Sequence, residues 1–181
     1  MNTIYVLIPV IVAIFIYMVD LGIRNWAACY IKLVYYDTGE LKFEMPFKDS
    51  KLNGITKAYY KSGKLMAETS FVNTEANGIH KRYYENGALD YKCTYKDNEM
   101  NGLTKGYYES GQLRYEMSYV DGKKHGAGKG YYKNGKLEYK VLFDNNALHG
   151  IQKYYSEDGS CTEIEYDNGV IIIPNMTDNL E

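Results

Sequence analysis

From residue 35 onward the chain repeats itself every 24 residues, and that period constrains the fold more than any other feature. Gly39, Gly63, Gly87, Gly111, Gly135 and Gly159 stand 24 residues apart, and so do Tyr35, Tyr59, Tyr83, Tyr107, Tyr131 and Tyr155. A third register is Gly54, Gly78, Gly102, Gly126 and Gly150; a fourth is Leu41, Leu65, Leu89, Leu113 and Leu137. A period of this length means one supersecondary unit copied in tandem, each copy burying its apolar side against its neighbours. The 181 residues include 21 Tyr and 17 Gly but only 3 Pro. Tyrosine favours strands and glycine favours tight turns, so the unit is a β unit.

In the unit spanning residues 53–76, the piece Lys61-Ser62-Gly63 recurs as Glu85-Asn86-Gly87, Glu109-Ser110-Gly111 and Lys133-Asn134-Gly135. A three-residue hairpin loop ends in a left-handed residue, and glycine adopts that conformation without strain. On this basis Tyr60 pairs with Lys64, Tyr59 with Leu65, Lys57 with Ala67 and Ile55 with Thr69. The fold expected is all-β: a single elongated antiparallel sheet of about six tandem 24-residue hairpins, preceded by one N-terminal transmembrane helix. Gly39, Gly63, Gly87, Gly111, Gly135 and Gly159 are its structural turn glycines. Gly122 lies outside the register, in what reads as a longer loop between repeats, and is expected to tolerate substitution better.

Alternation then assigns the faces. One face receives Ile55, Tyr59, Leu65 and Phe71 with their equivalents, together with Tyr91, Tyr115, Tyr139, Cys93, Met117 and Val141. The opposite face receives Glu68, Ser70, Lys92, Thr94, Glu116 and Lys140. Two columns depart from this simple pattern. Lys57, Lys81, Lys105 and Lys129 fall on the apolar face, either as stems lying over tyrosine rings or as a line of ammonium groups for an anionic partner. Tyr60, Tyr84, Tyr108 and Tyr132 fall on the polar face, either as a structural ladder or as a partner-binding stripe.

The N-terminus is a separate object. Ile4 to Val19 carries no charge, and with the preceding residues would span roughly 28 Å as a helix, close to a hydrocarbon core. A cleaved signal peptide is the rival reading, but no Lys or Arg precedes the apolar run, as a signal peptide requires. The organisation expected is an anchor at 1–26, a linker or first strand at 27–34, hairpin repeats at 35–173 and a tail at 174–181. Arg24 and Lys32 flank the span on its C-terminal side, which orients the repeats towards the cytoplasm as a single-pass membrane protein.

Chemistry-bearing constellations do not emerge. Lys and Arg number 21 against 23 Asp and Glu, so there is no basic footprint for nucleic acid. Cys29, Cys93 and Cys161 have no metal-ligand spacing, and His125 and His149 occupy a turn column also filled by Asn53, Asn77 and Asn101. The run Gly126-Ala127-Gly128-Lys129-Gly130 lacks the Ser or Thr and the helix of a phosphate loop. The expectation is a non-enzyme with no cofactor, no metal and no small-molecule substrate.

The pattern Gly-x-x-Lys-x-Tyr-Tyr-x-x-Gly-x-Leu, at Gly54 to Leu65, Gly78 to Leu89, Gly102 to Leu113 and Gly126 to Leu137, resembles the MORN family, named from membrane occupation and recognition nexus. The doubled tyrosines are most similar to bacterial variant-2 repeats, many of which are grouped with YwqK-type antitoxins. The resemblance implies a protein-binding or membrane-proximal scaffold, or alternatively an antitoxin or immunity protein that binds a partner toxin.

Overall fold

The computed structural model describes residues 28–173; the anchor expected at 1–26 and the tail expected at 174–181 lie outside the described residues. Contacts divide the described chain into two units, residues 28–88 with 95–98, and residues 89–94 with 99–173. The first contains β1 (Cys29–Tyr35), β2 (Leu41–Lys48), β3 (Lys51–Leu52), β4 (Gly54–Tyr59), β5 (Leu65–Val72) and β6 (Glu75–Tyr83), ordered β1-β2-β4-β5-β6 with β3 beside β2. The second contains most of β7 (Leu89–Lys96), then β8 (Glu99–Met100), β9 (Gly102–Tyr107), β10 (Leu113–Val120), β11 (Lys123–Tyr131), β12 (Leu137–Asp144), β13 (Ala147–Leu148), β14 (Gly150–Tyr155), β15 (Cys161–Asp167) and β16 (Val170–Ile171). Its order is β7-β9-β10-β11-β12-β14-β15-β16, with β13 beside β12. The fold is all-β, an open antiparallel sheet of sequential strands, with no helix among the described residues. None of these residues forms a helix long and apolar enough to cross a membrane.

Two kinds of turn alternate. Within repeats, the Tyr60 N–H donates to the Lys64 carbonyl and the Gly63 N–H to the Tyr60 carbonyl, both at 2.9 Å. This is the expected three-residue loop, and Gly63, at φ +80°, has open space where a Cβ would stand. Between repeats the loops are tighter than the sequence suggested. Asp49-Ser50, Asn73-Thr74, Asp97-Asn98, Asp121-Gly122, Asn145-Asn146 and Asn168-Gly169 all have positive φ at both residues, which makes them two-residue type I′ turns. Gly122 is therefore a turn residue at φ +73°, not part of a longer loop. Gly122→Asn should leave the melting temperature nearly unchanged, because Asn98 and Asn146 already hold that conformation. Gly122→Val should cost over ~1 kcal/mol, as should Gly111→Val at φ +91°, since β-branched residues resist positive φ. Thermal melting of the three variants checks this.

One extra residue per hairpin corrects the expected pairing. Tyr59 does pair with Leu65, but Ala58 pairs with Ala67, so Met66 bulges from the ladder. Beyond it Lys57 faces Glu68, and Ile55 faces Ser70. The same shift occurs between Leu113 and Tyr115 and between Leu137 and Tyr139. A bulge moves the rest of a strand by one residue, and with a side-chain period of two that exchanges its faces. Beyond the bulge the second strands keep their expected faces; Ile55, Lys57, Tyr59 and their equivalents turn to the opposite one.

The core face is therefore built from unequal partners. Phe43 sits across from Ala58 in the first unit. In the second, Tyr115 sits between Gly106 and Gly130, and Tyr139 across from Gly130. A Cβ on Gly106 would collide with the Tyr115 ring, and one on Gly130 with the Tyr139 ring, so each ring lies flat over a glycine. The core is thin: of the described apolar residues only Leu52, Ala58, Cys93 and Met117 are buried.

His80 takes the place in this face that Thr104 takes in the second unit. Its Nδ1 lies 2.8 Å from the Thr69 hydroxyl, and its ring meets Tyr95 edge-on. Burial first, then the Arg82 charge, holds its pKa below the ordinary histidine value. The folded state thus favours neutral His80, a contribution present above about pH 6.5 and lost as pH falls below it, where the unfolded chain takes up the proton. His80→Thr should flatten the fall in stability between pH 7 and 5, as followed by urea unfolding at each pH.

Candidate interaction surface

The face opposite the core carries the lysine column, and the bulge explains its partners. In the first unit one cross-strand row runs Glu44, Lys57, Glu68, Lys81 over β2, β4, β5 and β6. Signs alternate: Lys57 Nζ lies 3.8 Å from Glu44, and Lys81 Nζ 3.9 Å from Glu68. Tyr59 and Tyr83 share this face, and their hydroxyls donate to Glu44 and Glu68 at 3.0 Å. Burial first, then these carboxylates, raises both phenol pKa values. The row in the first unit neutralises itself.

In the second unit the same row runs Lys92, Lys105, Glu116, Lys129, Lys140, Lys153 and Glu163. Lys92 and Lys140 stand in the column that holds Glu44, Glu68 and Glu116. Lys105 pairs with Glu116 at 2.7 Å and Lys153 with Glu163 at 2.5 Å, and each carboxylate raises its lysine's pKa by hydrogen bonding and charge. Lys129 and Lys140 face each other directly, and neither has an ion-pair partner among the described residues. The row carries five cations against two carboxylates.

Beside it, two residues along each strand, runs an aliphatic row exposed to solvent. The first unit contributes Ile31, Ile55 and Ile79, the last two 53% and 44% exposed; the second contributes Leu103, Leu142 and Ile151, at 48%, 41% and 55%. Single exposed aliphatics are ordinary, but Ile31, Ile55, Ile79, Leu103 and Ile151 recur at one position of the repeat and mark one face. Alternation without the bulge puts Ile55, Ile79, Leu103 and Ile151 in the core, so only the register reveals that they are exposed; Leu142, in a second strand, lies on its expected face.

The tyrosine column, read from its spacing as a structural ladder or a partner-binding stripe, makes hydrogen bonds from one repeat to the next. Tyr60 Oη donates to the Tyr83 carbonyl, Tyr108 Oη to that of Tyr131 and Tyr132 Oη to that of Tyr155, each at 2.7 Å; Tyr36 makes the same bond to Tyr59 at 2.8 Å. Tyr84, which occupies the same column, closes the turn between β6 and β7, its N–H donating to the Ala88 carbonyl at 2.8 Å. These hydroxyls brace one repeat against the next. At the other end of the repeat the type I′ turns do likewise, as when the Thr74 N–H donates to the Leu52 carbonyl at 2.8 Å. Tyr108→Phe should cost about 1 kcal/mol, the net worth of one such bond, and denaturant unfolding against wild type measures it.

The turn column also extends its bonding. Asn77 and Asn101 side-chain amides donate to Asp97 and Asp121, while His125 and His149 lie 3.2 and 3.5 Å from Asp144 and Asp167. Among the described residues no cluster of three or more His, Cys, Asp or Glu could hold a metal ion. Gly126 to Gly130 lie within strand β11.

The model of the MORN repeat variant matches residues 31–49, 52–73, 76–97, 100–121 and 124–145, more than half of the chain, and the chain belongs to that family. The hairpin of β14 and β15 lies beyond the matched segments; it pairs Tyr155 with Cys161 and Tyr154 with Thr162, without the bulge. Comparison with curated proteins found no match.

Proposed function

We propose that this is a non-enzymatic, membrane-anchored MORN-repeat protein that works as a protein-binding scaffold close to the bilayer. The observation that supports this best is the set of exposed aliphatics on the face carrying the lysines, recurring at one position of the repeat as Ile31, Ile55, Ile79, Leu103 and Ile151 in both units. Proteins bind through such ordered apolar rows rimmed by charge. The uncharged stretch from Ile4 to Val19 supports the anchor.

The test uses the full-length chain, solubilised in detergent and used as bait, with mass spectrometry of what co-purifies. A stoichiometric partner lost on Leu103→Asp together with Ile151→Asp, with melting unchanged, supports the reading; capture indifferent to both substitutions overturns it. If the partner is a toxin, the scaffold is an antitoxin acting by direct binding. Deletion of residues 1–26 should release the protein from carbonate-washed membranes, and retention would remove the anchor.

A further inference from the structure

The two units carry the same row but not the same charge, and this difference narrows the partner. In the first unit each lysine has a carboxylate beside it. In the second, Lys129, Lys140 and Lys153 stand on consecutive strands roughly 4.8 Å apart, and Glu163 at the end answers only the last of them. Like charges directly opposite one another destabilise a sheet, so these lysines weaken the fold where glutamate at position 140 would restore the alternation. The adjoining residues are Ala127, Leu142 and Ile151, all exposed.

Resting on the scaffold reading, we infer that this patch of the second unit docks an amphipathic helix that carries carboxylates along one edge of its apolar face. Charge complementarity selects the acidic edge. The aliphatic row beside the lysines selects the apolar one. A helix laid across the strands presents a side chain to the row every turn, about 5.4 Å, close enough to the strand spacing for flexible lysines to follow. The first unit, neutral along the same row, contributes little to the acidic preference.

The probe is a fluorescent synthetic helix with glutamates at i, i+4 beside a leucine stripe, titrated into the full-length protein and read by anisotropy. Lys140→Glu should weaken binding at least tenfold and at the same time raise the melting temperature, because it removes a like-charge pair. A residue needed only for folding would move both readings downward. Lys140→Gln should fall between the two, and Lys81→Gln in the first unit should leave affinity unchanged. Binding should weaken as salt rises. Unchanged affinity in Lys140→Glu, or equal binding of a peptide with lysine for every glutamate, overturns the assignment. So does Lys140-dependent binding to phosphatidylglycerol vesicles without peptide binding, which would make the patch a lipid face. A native partner captured indifferently to Lys140→Glu leaves the scaffold reading intact and removes this site; peptide binding without any native partner does the opposite.

Discussion

Gly130→Val is expected to destabilise the protein by about 3 kcal/mol or more, with a melting temperature lower by about 10 °C. The Tyr139 ring occupies the volume that a side chain at position 130 would need, and the contact is with ring atoms rather than a flexible tip. Gly130 is itself buried in β11, so the added methyls cannot turn to solvent. Tyr139 must lift from the sheet, losing contacts that make up much of a thin core. Gly130→Val combined with Tyr139→Ala should cost clearly less than the sum of the two single changes, because the clash disappears with the ring. Ala127→Val, three residues earlier in the same strand on the exposed face, serves as the control and should change melting little. Urea unfolding of the four variants gives the coupling directly; additive losses would mean that the ring does not lie over the glycine.

Gln152→Met should be about as damaging, at about 3 kcal/mol or more, although the two side chains have similar volume. Gln152 is fully buried. Its Oε1 accepts from the Leu142 N–H at 2.7 Å, and its Nε2 donates to the carbonyls of His149 and Gly150 at 2.8 and 3.0 Å. His149 and Gly150 lie where β13 breaks into β14, with Leu142 beside them on β12, and the side chain gives each of these backbone groups a hydrogen bond. A methionine fills the space and leaves them unpaired, at about 1–3 kcal/mol for each group kept from water. Loss confined to the packing scale of an isosteric swap, under about 1.5 kcal/mol, would show that water replaces the amide. Sequence reading does not mark this residue, which shares its column with Thr56, Thr104 and Gly128.

What the repeat period supplied was the local grammar of the chain. Gly63 and its equivalents announce left-handed turn positions, and alternation in Leu65–Val72 separates Ala67, Thr69 and Phe71 from Glu68 and Ser70; both are properties of adjacent residues, so they are legible without a partner strand. The family also follows from the sequence, since the motif is a list of residue types at fixed spacing. The type I′ turns were less legible, because Asp49-Ser50 and Asn73-Thr74 reach positive φ without glycine, and their residues resemble those of any polar loop.

The tertiary structure decided which side of the first strands faces the core. Met66 has no sequence mark that separates a bulged residue from a paired one, yet by bulging it turns Ile55, Lys57 and Tyr59 outward. The aliphatic row, the alternating charges of the first unit and the cationic row of the second all depend on that single offset. The tyrosine braces depend on it less than on stacking: the Tyr60 hydroxyl meets a carbonyl 23 residues on only once two repeats lie side by side. Turn type and family are encoded within one repeat, where residue types and their spacing are enough. Face assignment and partners across strands are fixed by pairing between segments, because one inserted residue reverses a period of two and only the hydrogen-bonded register records where it falls.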